Sequence, residues 1–356
     1  SYMTDLQDSF RDYIPKEADK VQNAVTVQKG RYVVFCITSD TENAAAIIED
    51  SFTELSGDGS QSNASGDTED PAQEGEGDET GDFDGDNDNS RYPAIESNAS
   101  IKDFGNVVLI GDTAYELYSY TDKTAEKYAS YVNKAAKELA GQAKVYDVII
   151  PLSSGITLPD NYYDKISSSN QKKAMGNIID KLSDDVKAVN MYDNLMKHRN
   201  EYIYFRTDHH WTALGAYYAY RQFCEKKGIE PEDLTGYETK EFDGFLGSFY
   251  NDTSDAKLKA NPDVVTAYLP HDESVLHVTA SDGTKYDWPV IYDVSNYGAG
   301  LKYSTFIASD NPYTEIENKS LTDGSSCVVV KESFGNAFIP FLVDHYQTIY
   351  VIDYRY

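Results

Sequence analysis

Two of the chain's six histidines stand side by side in Arg206-Thr207-Asp208-His209-His210-Trp211. The segment reads as a strand-to-helix junction, with Asp208 and His210 spaced i and i+2 across the loop. That spacing lets the Asp208 carboxylate reach Nδ1 of His210, fix its tautomer and leave Nε2 as a base. The same residues admit two other readings, as zinc ligands or as structural groups capping the next helix. Zinc needs three or four ligands. The other histidines (His198, His271, His277, His345) are scattered singly, and no H-x-x-x-H or Cys–His cluster completes a set. No metal and no cofactor are expected. His209 is expected to point to the side opposite His210.

A base of this kind needs a nucleophile. In Cys327-Val-Val-Val-Lys331-Glu332-Ser333-Phe334-Gly335-Asn336 an apolar strand ends, a serine falls in the turn and a helix begins. Such a turn puts a hydroxyl at the C-terminal edge of a parallel sheet, where ligand sites of α/β folds form. It also aims the amides of the helix N-terminus at the same spot, as an oxyanion hole would require. Gly335 would let the backbone approach a substrate closely. The alternative is that Ser333 is simply an N-cap. Gly111-Asp112-Thr113 imitates a Gly-Asp-Ser nucleophile block, but its threonine is a poor substitute for serine there, and a structural turn is the better reading.

Strands and helices must hold these segments together. From Phe104 onward they alternate, the pattern of an α/β sheet. Strands are expected at Val107–Gly111, Lys144–Pro151, Val189–Tyr192, Cys327–Lys331 and Thr348–Tyr354. Helices are expected at Lys123–Leu139, Gln171–Val186, Thr212–Lys227 (closed by Gly228) and Asn336–Tyr346. The section from Pro231 to Asn311 is irregular, with a β excursion. Residues 1–55 read as a small α+β segment: helix Met3–Tyr13, strands Ala24–Val27 and Tyr32–Thr38 around a Lys29-Gly30 turn, and helix Thr41–Leu55. Residues 56–93 are an acidic, disordered linker with little to bury, and 94–356 form the main domain. Within the linker, Asp82, Asp84, Asp86 and Asp88 alternate. Neither register supplies the glycine and glutamate that an EF-hand loop needs, so no calcium site is expected.

Composition narrows the functional classes. The formal charge is −29, and 12 acidic residues with no Lys or Arg lie between Gly57 and Ser90, leaving −17 for the rest. Nucleic-acid binding depends on Lys and Arg neutralising phosphate, so no polynucleotide partner is expected. The three cysteines, Cys36, Cys224 and Cys327, are widely spaced and read as buried apolar groups. No stretch approaches 18 apolar residues. The chain begins at Ser1 and closes on an apolar strand, and it is read as a fragment whose targeting segment lies upstream.

Tyr204-Phe205-Arg206-Thr207-Asp208-His209-His210-Trp211-Thr-Ala-Leu-Gly-Ala and Lys331-Glu332-Ser333-Phe334-Gly335-Asn336-Ala337 resemble the DHHW family. That group is SGNH-hydrolase-like and similar to alginate O-acetylation proteins. The resemblance covers roughly residues 104–356. It implies a three-layer α/β/α SGNH-hydrolase-like sandwich with permuted triad order: Asp208 as orienting acid, His210 as base and Ser333, last in the chain, as nucleophile. The implied activity is O-acyl (acetyl) transfer or ester hydrolysis on cell-surface or extracellular polysaccharide. It is implied outside the cytoplasm, with the full-length protein membrane-anchored and a membrane-bound acyltransferase as partner. Lys-Glu-Ser stands where the superfamily has Gly-Asp-Ser, so the oxyanion donors are not fixed by the motif. Asn336 and the loop Pro151–Thr157 are candidates. Trp211 and the tyrosines suit stacking on sugar faces, and Arg206 suits either an acidic sugar or a plain salt bridge. The alternative is a non-catalytic carbohydrate-binding or scaffold protein on the same fold.

Overall fold

A computed structural model describes residues 91–356 and the backbone of two N-terminal strands. Those strands, β1 (Val25–Lys29) and β2 (Tyr32–Cys36), pair antiparallel with Val25 opposite Cys36, as expected around Lys29-Gly30. The helices expected at Met3–Tyr13 and Thr41–Leu55, the linker as far as residue 90 and its alternating aspartates lie outside the described residues. The chain divides into two compact units, Ser1–Glu79 and Thr80–Tyr356.

Residues 91–356 form a mixed α/β fold. Its first strands, β3 (Ile101–Asp103), β4 (Val107–Ile110) and β5 (Thr113–Glu116), make an antiparallel meander. The strand expected at Val107–Gly111 is present, but it pairs with neighbouring strands in a meander instead of alternating with helices. Gly111 (φ +69°) and Asp112 are the two-residue turn between β4 and β5, where Ile110 faces Thr113. A positive φ at that position tightens the hairpin and suits the strand twist. The Gly-Asp-Thr block is thus a turn.

Helix α1 (Asp122–Glu138) starts where the Thr121 side chain accepts the Thr124 amide, and it buries Ala125, Ala129 and Ala136. Strands β6 (Val145–Ile149) and β7 (Val186–Asn190) pair in parallel. Between them lies α2 (Gln171–Ile179), which stops short of the expected Val186. Helix α3 (Ala213–Lys227) is capped by Thr212, whose Oγ1 accepts from the Gly215 amide, and is closed by Gly228. It buries alanines and Tyr217, Tyr220 and Phe223 in the main core.

The β excursion comprises β8 (Glu238–Phe245) and β9 (Asp263–Leu269), paired antiparallel, with the short helix α4 (Ser248–Thr253) between them. Next come β10 (Ser274–Thr279) and β11 (Lys285–Trp288), which join β12 (Tyr313–Asn318), β13 (Ser326–Lys331) and β14 (Thr348–Asp353) in one sheet of order β11-β10-β12-β14-β13. Only β13 and β14 are parallel in it. A wholly parallel sheet would be covered on both faces. Here Val328 and Val330 of β13 are each 62% exposed, while Ile349 and Val351 of β14 point into the core. The expected helix Asn336–Tyr346 is instead a single turn, α5 (Gly335–Phe338), followed by 3-10 turns over Ile339–His345. Pro340 explains the change, because it has no N–H to continue the α-helical ladder.

At the end of β13 the ammonium of Lys331 is buried between Asp310 and Asp353, 2.8 Å from each, and Arg355 lies against the same two carboxylates. Burial pushes the Asp353 carboxyl up, but hydrogen bonds from Arg355 and Lys331 outweigh it and hold it at about 2. Its stabilising effect is therefore complete above the unfolded carboxyl range near 4 and is lost as pH falls through about 2. Lys331→Met should cost about 3 kcal/mol at pH 7 by leaving buried carboxylate charge uncompensated. The gap between the two proteins' urea midpoints should narrow between about pH 4 and pH 2, and a gap independent of pH would contradict this role.

Candidate functional site

The strand ending at Lys331 and the loop before α3 bring together residues 123 positions apart. His210 Nε2 lies 2.7 Å from Ser333 Oγ, and His210 Nδ1 lies 2.6 Å from Asp208 Oδ1. Ser333, His210 and Asp208 are all buried. Burial pushes the Asp208 carboxyl up. The hydrogen bond and charge of His210 outweigh that and hold it well below the usual carboxylate range. Asp208 holds the Nδ1 side of the ring, and Nε2 faces the serine hydroxyl. This arrangement can withdraw a proton from Ser333 Oγ.

The local fold explains why the three meet. Tyr204 and Trp211 bridge antiparallel, and the amides of Phe205 and Thr212 donate to His210 and Ile203 carbonyls. Arg206–His209 therefore project as a short loop from a closed neck. The floor of that loop is Asp263, fully buried at the start of β9, which accepts from the Arg206 and Thr207 amides and from the hydroxyls of Thr207 and Tyr202. On the nucleophile side, the Phe334 amide donates to Glu332 Oε2 (3.1 Å), and α5 has no side-chain cap. Ser333 is thus not an N-cap; its hydroxyl is directed to His210. Tyr303 closes the site, with its ring stacked on His210 (4.1 Å, 11°) and its hydroxyl donating to the Ser333 carbonyl.

Four of the expected substrate-contacting residues serve other purposes. Trp211 is fully buried and donates Nε1–H to the Phe334 carbonyl, so it offers no face to a sugar. The Arg206 guanidinium is committed to Asp263, the Pro262 carbonyl and the Tyr202 ring, the plain salt bridge of the two readings. Asn336 turns its amide to Asp310 rather than towards Ser333. Gly335 is required by Lys331, not by a substrate: an added Cβ would sit 2.7 Å from Lys331 Cβ. The amides of Phe334, Gly335 and Asn336 are all engaged within the turn. In the loop Pro151–Thr157, the Leu152, Gly155 and Thr157 amides are engaged as well.

His209 does not point away. Its ring lies 3.8 Å from that of His210, and its Nδ1 is 2.7 Å from Ser248 Oγ. Burial, then the adjacent His210, lowers its pKa, which favours the neutral imidazole. Asp208, His209 and His210 have ligand atoms close enough to share a metal ion. Both nitrogens of His210 and Nδ1 of His209 are already hydrogen-bonded, and no further histidine or cysteine joins this cluster among the described residues. Three ligands are the minimum for a catalytic zinc site, and here these side chains are engaged in the hydrogen bonds that link them to Ser248 and Ser333.

Gly247 and Ser248, at the start of α4, were not legible as site residues. The Ser248 amide donates to Asp208 Oδ2 (2.8 Å), giving Asp208 a second anchor. The approach is so close that a Cβ on Gly247 would fall 2.1 Å from Asp208 Oδ2. Glycine followed by a helix-starting serine is a weak signal within an irregular stretch.

The fold and site define an α/β protein with a buried Ser–His–Asp hydrogen-bond chain, its serine on the turn after a strand. A family model of the DHHW proteins matches residues 42–352, and the chain belongs to the DHHW family. A DHHW family protein from Eubacterium siraeum is 32% identical with a TM-score of 0.64, covering 74% of this chain and 86% of that one. PatB1 of Bacillus cereus, solved with a sulfonyl adduct, is 19% identical with a TM-score of 0.59, covering 72% of this chain and 87% of that one. The O-acetyltransferase domain of Pseudomonas putida AlgJ is 13% identical with a TM-score of 0.41, covering 70% and 78% respectively. No curated protein matches the chain.

Gly247→Ala should push the Asp208 carboxylate aside and misalign His210. A displacement on the order of 1 Å costs about a hundredfold in rate. Hydrolysis of p-nitrophenyl acetate at neutral pH is the measurement, and a rate within threefold of the parent would contradict the role given to Gly247.

Proposed function

We propose that this protein is a serine-dependent O-acyl (acetyl) transferase or esterase acting on cell-surface or extracellular polysaccharide. The observation that carries the reading is the continuous contact from Ser333 Oγ through His210 to Asp208, 2.7 Å and 2.6 Å, in a buried setting. Ser333 Oγ attacks the acyl carbonyl carbon while His210 Nε2 takes its proton. The tetrahedral adduct collapses, and the leaving oxygen receives that proton from His210. An acceptor hydroxyl, from water or from a sugar, then attacks the acyl-serine and gives its proton to Nε2, and Ser333 is regenerated. Asp208 remains ionised throughout and stabilises the imidazolium.

Family membership and the serine's place on the turn after β13 support a three-layer SGNH-hydrolase-like sandwich with the serine last in the triad order. Work on polysaccharide also fits a location outside the cytoplasm and a membrane-bound acyltransferase as acyl supplier. No helix among the described residues is long and apolar enough to cross a membrane. Glu332 Oε2 holds the Phe334 amide. On this reading that amide reaches an oxyanion only if Glu332 gives way.

Ser333→Ala and His210→Ala should each lower kcat for p-nitrophenyl acetate by at least about a thousandfold, with Asp208→Asn comparable, because triad members act as a unit. Equal slow turnover in the parent and all three variants would overturn the enzymatic reading.

A further inference from the structure

Trp211 is buried, but other aromatic side chains gather at the surface. Tyr286, Trp288, Tyr292 and Tyr297 line an open cleft of about 420 Å³, together with Ser304 and Ala308. The rings form a continuous run: Tyr286 to Trp288 at 5.9 Å, Trp288 to Tyr292 at 4.4 Å, and Tyr292 to Tyr297 at 5.8 Å. Tyr286 and Tyr297 are each nearly two-fifths exposed. Exposed aromatic surface gathered in one cleft is a candidate ligand surface.

The cleft is built rigidly from behind. Lys302 is buried and donates to the Val294 and Ser295 carbonyls, and Tyr292 exchanges bonds with Thr305 through its amide and its carbonyl. Ile291 bridges to Phe306. Ile307, Ala308 and Ser309 all have positive φ (44°, 59° and 67°). Backbone of that kind is strained at non-glycine residues and persists only where the surroundings impose it. Ala308 faces the cleft, and Asp310, next along, holds Lys331 and Asn336 beside the Ser333 turn. The 3-10 turn Ala299–Thr305 joins the two places still more directly. Tyr303 faces inward onto His210, and its neighbour Ser304 faces the cleft.

We propose that this cleft is a carbohydrate-binding subsite whose tyrosine and tryptophan faces seat successive pyranose rings of the acceptor polymer. Sugar C–H faces pack on the electron-rich rings while the tyrosine hydroxyls and Ser304 supply a polar rim. The proposal rests on the polysaccharide reading of the Ser333 site. It identifies where the chain is held while one hydroxyl reaches the acyl-serine. Stacking reads the shared pyranose face, so simple β-1,4-linked oligomers are adequate probes.

The chain has two tryptophans, Trp211 and Trp288, and Trp211 is fully buried. Changes in tryptophan emission and in acrylamide quenching therefore report on Trp288. Cellohexaose and an N-acetylglucosamine hexamer, at up to 10 mM as trial concentrations of roughly weak-ligand strength, are titrated into the full chain carrying Ser333→Ala. Saturable emission change and protection from acrylamide are expected. Tyr292→Ala and, separately, Tyr297→Ala in that background should weaken binding by about fivefold or more. Unchanged urea midpoints establish that these variants fold. No effect of either oligomer on Trp288, or unchanged affinity in both folded variants, would overturn the subsite. So would concentration-dependent self-association through the cleft that excludes the sugars. Failure of the Ser333 reading has a different signature: binding persists, but the parent chain does not cleave p-nitrophenyl acetate.

Discussion

The buried carboxylate of Asp263 holds the loop on which the whole site depends. It accepts from two backbone amides and two hydroxyls, and it faces the Arg206 guanidinium at 3.3 Å. A carboxylate with no exposed surface is tolerated only with such a full set of partners. Its partners are the residues immediately before Asp208, so satisfying Asp263 fixes the path of the chain into Asp208-His209-His210. Asp208 then has little freedom. The His210 amide and Nδ1 take one oxygen, the Ser248 amide takes the other, and Gly247 backbone packs directly against the carboxylate. A base oriented in this way does not need to reorganise when charge develops on it.

Ser333 is held by a second polar cluster. Lys331, Asp310, Asp353, Arg355 and Asn336 form a network at the end of β13, and Gly335 lies close over the Lys331 stem. The strand end therefore enters the Ser333 turn in one direction only. Glu332 completes the turn by accepting the Phe334 amide. Its carboxyl is pushed up by burial, an effect that this amide opposes. The Lys-Glu pair before the serine is thus a structural device: lysine anchors the strand end, and glutamate caps the turn.

The sequence pointed to the residues that meet at Ser333 better than to the architecture around them. Asp208, His210 and Ser333 were legible because each sits at a strand-to-helix transition in a short motif of distinctive residue types. The helix that starts near Thr212 and the turn at Ser333 followed from the same local signals. Gly247, Ser248 and Asp263 were not legible, since their importance comes from tertiary contact with a loop some 40 to 56 residues away in sequence. Trp211 was assigned an outward role, and Arg206 was left between a sugar contact and a salt bridge, because a motif conveys residue type but not direction. The meander around Val107–Ile110 was not legible because an apolar run does not specify its pairing partner. Nothing in the periodicity of Tyr286–Ala308 distinguished an aromatic cleft from ordinary packing, because the residues that line it come from a turn-rich stretch.

The central claim is that Ser333 is a nucleophile activated by His210. Its most direct test is covalent labelling by a serine-reactive fluorophosphonate, with the modified residue located by peptide mass spectrometry. The account predicts one label, on Ser333 of the parent chain, greatly slowed in His210→Ala. Absence of label on Ser333, or labelling that proceeds equally fast without His210, would contradict it.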